Sequence, residues 1–179
     1  MIRYPKLTVL VIDPQIGWLN DFTGRVFSAI SGFVKEYDLE ENTVISVFSN
    51  TRESKFRSLM PNWEGFRKTA DRRIVSQLDF RPFKVYPRQT YGMPPSFWKD
   101  LGRNRTANLL ITGVETDASI IKTAMDSFDR GISSWIITRL VGSTYGENGQ
   151  RAGLAIARKV LGRDHVLEST QAFIAMITK

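Results

Sequence analysis

Asn108-Leu109-Leu110-Ile111-Thr112-Gly113-Val114-Glu115-Thr116-Asp117-Ala118-Ser119-Ile120-Ile121-Lys122-Thr123-Ala124 reads in two halves. Asn108 to Gly113 is an apolar run closed by a turn residue, which predicts a buried strand. From Asp117 to Arg130 the apolar residues Ile120, Ile121, Ala124, Met125 and Phe128 recur at helical spacing, and Gly131 stops the pattern. A buried strand that turns directly into a helix is half of a β-α-β crossover, and it predicts a parallel sheet.

The same alternation extends in both directions. Strands are expected at Leu7 to Ile12, Thr43 to Ser49, Phe83 to Tyr86, Ile132 to Thr138 and Val166-Leu167. Helices are expected at Phe22 to Tyr37, capped by Asp21 or Thr23, at Thr69 to Leu78, after Pro94-Pro95 with Ser96 as a possible cap, at Gly149 to Leu161 and at Thr170 to Ile177. Arg52 to Trp63 has little periodicity and reads as a loop. The chain shows no internal repeat, low-complexity stretch or linker, so residues 1–179 are read as one domain. In such folds ligands sit outside the carboxyl ends of the strands. Asp13, Pro87-Arg88 and Gly113 to Ser119 all follow strands and should converge on one edge of the sheet.

Composition narrows the chemistry. The 179 residues contain 0 Cys and 1 His, which excludes a disulfide framework, a zinc finger and a thiol nucleophile. The net charge of +7 is concentrated in the middle. From Arg52 to Arg105 there are 13 Lys and Arg against 5 Asp and Glu, a local balance of +8. That excess is either a solvated face or an attraction for an anion. It carries no nucleic-acid-binding motif, so a small anionic ligand is the better reading of the two partners. There is no membrane-spanning run and no signal-like start, and a cytoplasmic protein is the expectation.

Val11-Ile12-Asp13-Pro14-Gln15 and the quoted Leu110 to Ala124 stretch together resemble the isochorismatase-like cysteine hydrolases, a group that includes nicotinamidases, N-carbamoylsarcosine amidases and isochorismatases. The family's first strand ends in Asp-x-Gln. Its later turn reads Gly-x-x-Thr-x-x-Cys-Val-x-x-Thr-Ala, which Gly113, Thr116, Thr123 and Ala124 match in spacing. The resemblance runs from about Leu7 to about Thr170. It implies a three-layer α/β/α fold with a central, mainly parallel, Rossmann-like doubly wound sheet. It also implies a dimer or tetramer, and a cis peptide at Val114–Glu115.

By the same resemblance the catalytic Asp, Lys and Cys correspond to Asp13, Arg88 and Ser119. Lys84 competes with Arg88 for the middle position, though its spacing to Tyr91 fits less well. A serine hydroxyl is far less acidic than a thiol, and a carboxylate is a poor base for it. Arginine stays protonated, and its planar fork suits a carboxylate or phosphate. An Asp13–Arg88 ion pair is therefore expected, favouring the binding of anions over attack on an amide. Gln15, Trp18, Tyr91, Val114, Glu115 and Thr116 are the candidate ligand contacts. Trp18, Phe56, Trp63, Tyr91 and Trp98 are positioned to stack on a planar ligand, or else pack the loops or a subunit interface. Gly142 to Gly146 would close the pocket or be a plain loop. Nicotinamidases of the family hold a metal with Asp and His residues. His165 falls well after that region, so neither a metal nor another cofactor is expected.

Three functions remain open at this level. The first is a catalytically degenerate member, a pseudoenzyme, binding a small anionic or nucleotide-like ligand. The second is an active hydrolase of a C–N or vinyl-ether bond in which Ser119 replaces a native Cys. The third is a structural subunit of a larger assembly.

Overall fold

The computed structural model describes Tyr4 and residues 6–178. Six strands form one parallel sheet in the order β3-β2-β1-β4-β5-β6. They are β1 (Leu7–Ile12), β2 (Thr43–Phe48), β3 (Lys84–Arg88), β4 (Asn108–Val114), β5 (Ser133–Gly142) and β6 (Val166–Leu167). The helices are α1 (Asp21–Glu36), α2 (Lys55–Leu59), α3 (Pro95–Arg103), α4 (Ile121–Phe128), α5 (Gly146–Leu161) and α6 (Thr170–Ile177). The parallel sheet predicted from the alternation, and the doubly wound fold that the resemblance implies, are thus the observed ones.

Alternate strand residues face opposite layers. Val9, Val11, Ile45, Leu110 and Ile137 pack with Phe27, Ile30, Val34 and Phe173, from α1 and α6, on one side. Leu10, Ile12, Val44, Leu109, Ile111 and Ile136 pack with Phe97, Leu101, Ala124 and Leu154, from α3, α4 and α5, on the other. Both faces are covered, which is why these strands read as continuous apolar runs. Pro87 sits in β3, an edge strand paired only with β2, where a missing N–H costs no ladder bond. Where β1 and β4 meet, Gly113 has φ +101°, and a Cβ there would lie 2.2 Å from the Ile12 carbonyl oxygen. Only glycine closes the turn at that approach.

Several local expectations are corrected. Asn20, not Asp21, caps α1, and it forms a capping box with Thr23 at N3. In α3, Pro94 is the cap and Pro95 starts the helix, so Ser96 lies inside it. Arg52 to Trp63 contains the short α2, started by the Ser54 side chain accepting from Phe56 N–H. Residues 69–78 form turns rather than a helix. Their backbone is engaged elsewhere: Asp71 and Arg73 carbonyls accept from Gly17 and Ile16, and Val75 N–H donates to Pro14. The strand β5 runs on to Gly142, and α5 begins at Gly146 rather than Gly149. The helix expected from Asp117 opens with a π-helical turn, Thr116–Ile120, before α4. There Gly153 of α5 lies directly against the Thr116 carbonyl, so close that a Cβ on it would be 2.6 Å away.

Candidate functional site

The order 3-2-1-4-5-6 reverses direction between β1 and β4, and the crevice at the carboxyl ends of these strands is where doubly wound folds bind ligands. Asp13 follows β1 directly, with φ 51°. Its N–H donates to the Ser46 carbonyl at 3.2 Å, which turns its carboxylate toward β2 and β3. Arg88 ends β3, in register with Phe48 of β2. Ser119 lies in the π-helical turn after β4. The three are 1%, 5% and 5% exposed.

Arg88 joins them. Its Nε donates to Asp13 Oδ1 at 3.0 Å, and its Nη2 donates to both Asp13 Oδ2 and the Ser119 hydroxyl, the latter at 2.8 Å. Its Nη1 donates to the Thr90 carbonyl, and its guanidinium lies 5.4 Å from the Phe48 ring centroid. The Ser46 hydroxyl donates to Asp13 Oδ1 at 2.8 Å. Each side-chain contact to Asp13 treats it as an acceptor, which matches a carboxylate. Burial pushes the Asp13 carboxyl above its ordinary value, and the Arg88 guanidinium and the Ser46 hydroxyl pull the other way. Lys84 points elsewhere: it pairs with Asp100 at 2.6 Å, and so Arg88 is the cation at the expected site.

A cavity of ≈ 300 Å³ opens above these residues. Arg88, Ser119, Glu115, Asp117, Thr144 and Tyr145 form its polar wall. Trp18, Phe48, Phe56, Trp63 and Tyr91 form an aromatic wall. The rings hold one another: Phe56 is 4.9 Å from Tyr91 and 5.2 Å from Trp63, and Trp18 stacks on Trp63 at 6.3 Å. Trp98 belongs to a different place, packed on Phe97 and beneath Arg130.

The expected ligand contacts divide. Trp18, Tyr91 and Glu115 line the cavity. Gln15, Val114 and Thr116 are fully buried behind it. The Gln15 amide donates to the Phe48 and Arg72 carbonyls at 3.0 and 3.1 Å and accepts from Phe48 N–H at 2.6 Å, so it braces the wall. Thr116 donates to Gln150 at 2.6 Å. The peptide bond Val114–Glu115 is cis. Phe48 and Asp117 were not singled out from the sequence as ligand contacts. Phe48 ends β2, and the strand-end rule that located Asp13 and Arg88 applies equally to it.

Glu115 is the unusual group. One oxygen, Oε2, accepts from Thr144 N–H at 2.8 Å, while Oε1 is buried without a partner. Burial raises its carboxyl to about 7, with the neighbouring Asp117 charge adding to the rise and hydrogen bonds from Thr144 and Ser143 opposing it. Asp117 Oδ1 and the Trp18 indole N–H are also buried and unpartnered. The expected Asp13–Arg88 ion pair is present, and among the described residues no other Lys or Arg lines this cavity.

No group of three His, Cys, Asp or Glu able to hold a metal exists among the described residues. His165 stacks on Trp135 at 4.0 Å and bonds the Ser134 carbonyl at 2.8 Å. The side chains present therefore do not fit the metal site of the nicotinamidases. No helix among the described residues is long and apolar enough to cross a membrane.

The isochorismatase domain family model matches residues 8–168. No curated protein matches the chain. Among solved structures, the chain is similar to a pyrazinamidase/nicotinamidase from Streptococcus mutans, with TM-score 0.76 and 17% identity over 90% of this chain and 99% of that one. An isochorismatase-like hydrolase from Alkaliphilus metalliredigens gives TM-score 0.77 and 14% identity over 96% and 99%. A cysteine hydrolase from Pseudomonas syringae pv. phaseolicola gives 0.79 and 14% over 99% and 94%. Likeness at such identities speaks for the fold alone.

Proposed function

Because this chain belongs to the isochorismatase family, we propose that it is a small-molecule-binding member in which the place of the hydrolytic triad serves as one wall of a binding pocket. One observation carries the reading: Arg88 Nη2 donates to the Ser119 hydroxyl and to the Asp13 carboxylate together. In the triad that the family resemblance implies, a carboxylate removes the proton of a thiol. Here a guanidinium stands between carboxylate and hydroxyl, and a guanidinium cannot accept or relay that proton. A serine hydroxyl also needs a stronger base than a thiol does. Among the described residues, Arg88 is the only hydrogen-bond partner of the Ser119 hydroxyl, and no histidine is near to serve as that base.

The aromatic wall supports the binding half of the proposal. Trp18, Phe48, Phe56, Trp63 and Tyr91 all line the ≈ 300 Å³ cavity, an aromatic lining suited to a ring-sized molecule. The test is turnover by the unmodified chain and by a Ser119→Cys/Arg88→Lys variant. Nicotinamide, N-carbamoyl amino acids and isochorismate serve as substrates. The unmodified chain should hydrolyse none of them. Hydrolysis that disappears on Ser119→Ala would overturn the proposal and make the chain a serine-dependent hydrolase.

A further inference from the structure

The polar atoms of the pocket wall have a pattern of their own. Glu115 is 8% exposed and its Oε1 has no partner. Asp117 Oδ1, two residues on, has none either. Buried acceptors without donors are costly, and more so when charged. The Arg88 charge cannot answer them, because it is held against Asp13. The same cavity is lined by Trp18, Phe56, Trp63 and Tyr91, and by Phe48, over whose ring Arg88 lies. Ring faces attract cations through their quadrupole, most strongly in a desolvated site. Carboxylates and ring faces therefore favour the same sign of charge.

We infer that this pocket selects a planar organic cation carrying N–H donors, an amidinium or guanidinium group on a ring-sized body. The inference rests on the pocket being a small-molecule site. The N–H donors would meet the Glu115 and Asp117 carboxylates of the cavity lining, while the ring packs among the aromatic side chains. A larger hollow of ≈ 440 Å³ is lined by Lys84, Tyr86 and Asp100. Lys84 and Tyr86 both donate to Asp100 there.

Benzamidine, benzamide and benzoate test this, as they share a shape and differ in charge. Calorimetric titration at pH 8 should give benzamidine at least tenfold tighter binding than benzamide, with benzoate weakest. Glu115→Gln should reduce the benzamidine preference by tenfold or more and leave benzamide binding within about twofold. The groups facing Glu115 or sharing its cavity are Asp117, Arg88, Ser119, Ser143, Thr144, Tyr91 and Tyr145, with Asp13 behind Arg88. Glu115 should titrate near 7, so benzamidine affinity should rise about tenfold from pH 6 to pH 8 in the unmodified chain and stay level in Glu115→Gln. Equal or tighter binding of benzamide or benzoate would overturn the cation inference and leave the small-molecule reading standing. Failure of all three at millimolar concentration would overturn both.

Discussion

The Arg88 guanidinium holds Asp13 along one edge of its planar fork, Nε on one carboxylate oxygen at 3.0 Å and Nη2 on the other. A buried pair of this kind contributes little net stability over a well-packed apolar pair, yet removing one member strands the other. Arg88→Met should therefore lower unfolding free energy by about 3–5 kcal/mol. The double variant Asp13→Asn/Arg88→Met should regain a good part of that. Urea denaturation of the three proteins measures it. Equal stability of the single variant and the unmodified chain would mean that the pair is not formed.

Glu115 makes stability depend on pH. Its folded value of about 7 lies above the ordinary 4.5. Below the ordinary value both states hold the proton. Between the two values the unfolded chain releases it while the folded chain keeps it, so stability falls as pH rises. Above about 7 the loss is complete, on the order of 3 kcal/mol. Glu115→Gln keeps an acceptor for Thr144 N–H and cannot ionise. It should match the unmodified chain near pH 4 and exceed its stability by about that amount near pH 8. Asp13, also raised, contributes a slope of the same sign in both proteins. The difference between their curves isolates Glu115, and a flat difference would contradict the assignment.

Two glycine-to-alanine changes should have opposite signs. Gly32 lies within α1 with no atom within 4 Å of a Cβ, so Gly32→Ala should stabilise by about 1 kcal/mol through helix propensity. Gly153 lies within α5, where a Cβ would meet the Thr116 carbonyl at 2.6 Å and Asp117 N at 2.8 Å. Those are backbone atoms and cannot swing aside. Gly153→Ala should lose about 1–3 kcal/mol despite the better propensity. Thermal unfolding of both variants decides it.

Gln15 should behave as a brace. Gln15→Leu leaves Phe48 N–H and two carbonyls unanswered in a buried place and should cost at least about 2 kcal/mol. Among folded molecules of that variant, affinity for a pocket ligand should change less than about threefold, since the side chain does not line the cavity. A variant of full stability with lost affinity would restore Gln15 as a ligand contact.

The order of strands and helices, the covered sheet and the strand-end positions of Asp13, Arg88 and Ser119 were legible in the sequence, because apolar periodicity and turn residues act within one segment at a time. The family motif aligned Ser119 by spacing alone. What the tertiary structure decided depends on which segments meet. Residues 69–78 carry a helix-like pattern but give their backbone bonds to Pro14, Ile16 and Gly17. Gln15 resembles a site residue yet lies behind the wall. Charge counted along the chain, +7 in all, does not say which groups pair. Arg88 faces Asp13, while Glu115 and Asp117 keep buried oxygens unanswered beside five rings drawn from separate loops, strand β2 and helix α2. Burial and partnership are properties of contacts between distant segments, and those exist only once the sheet has brought its ends together.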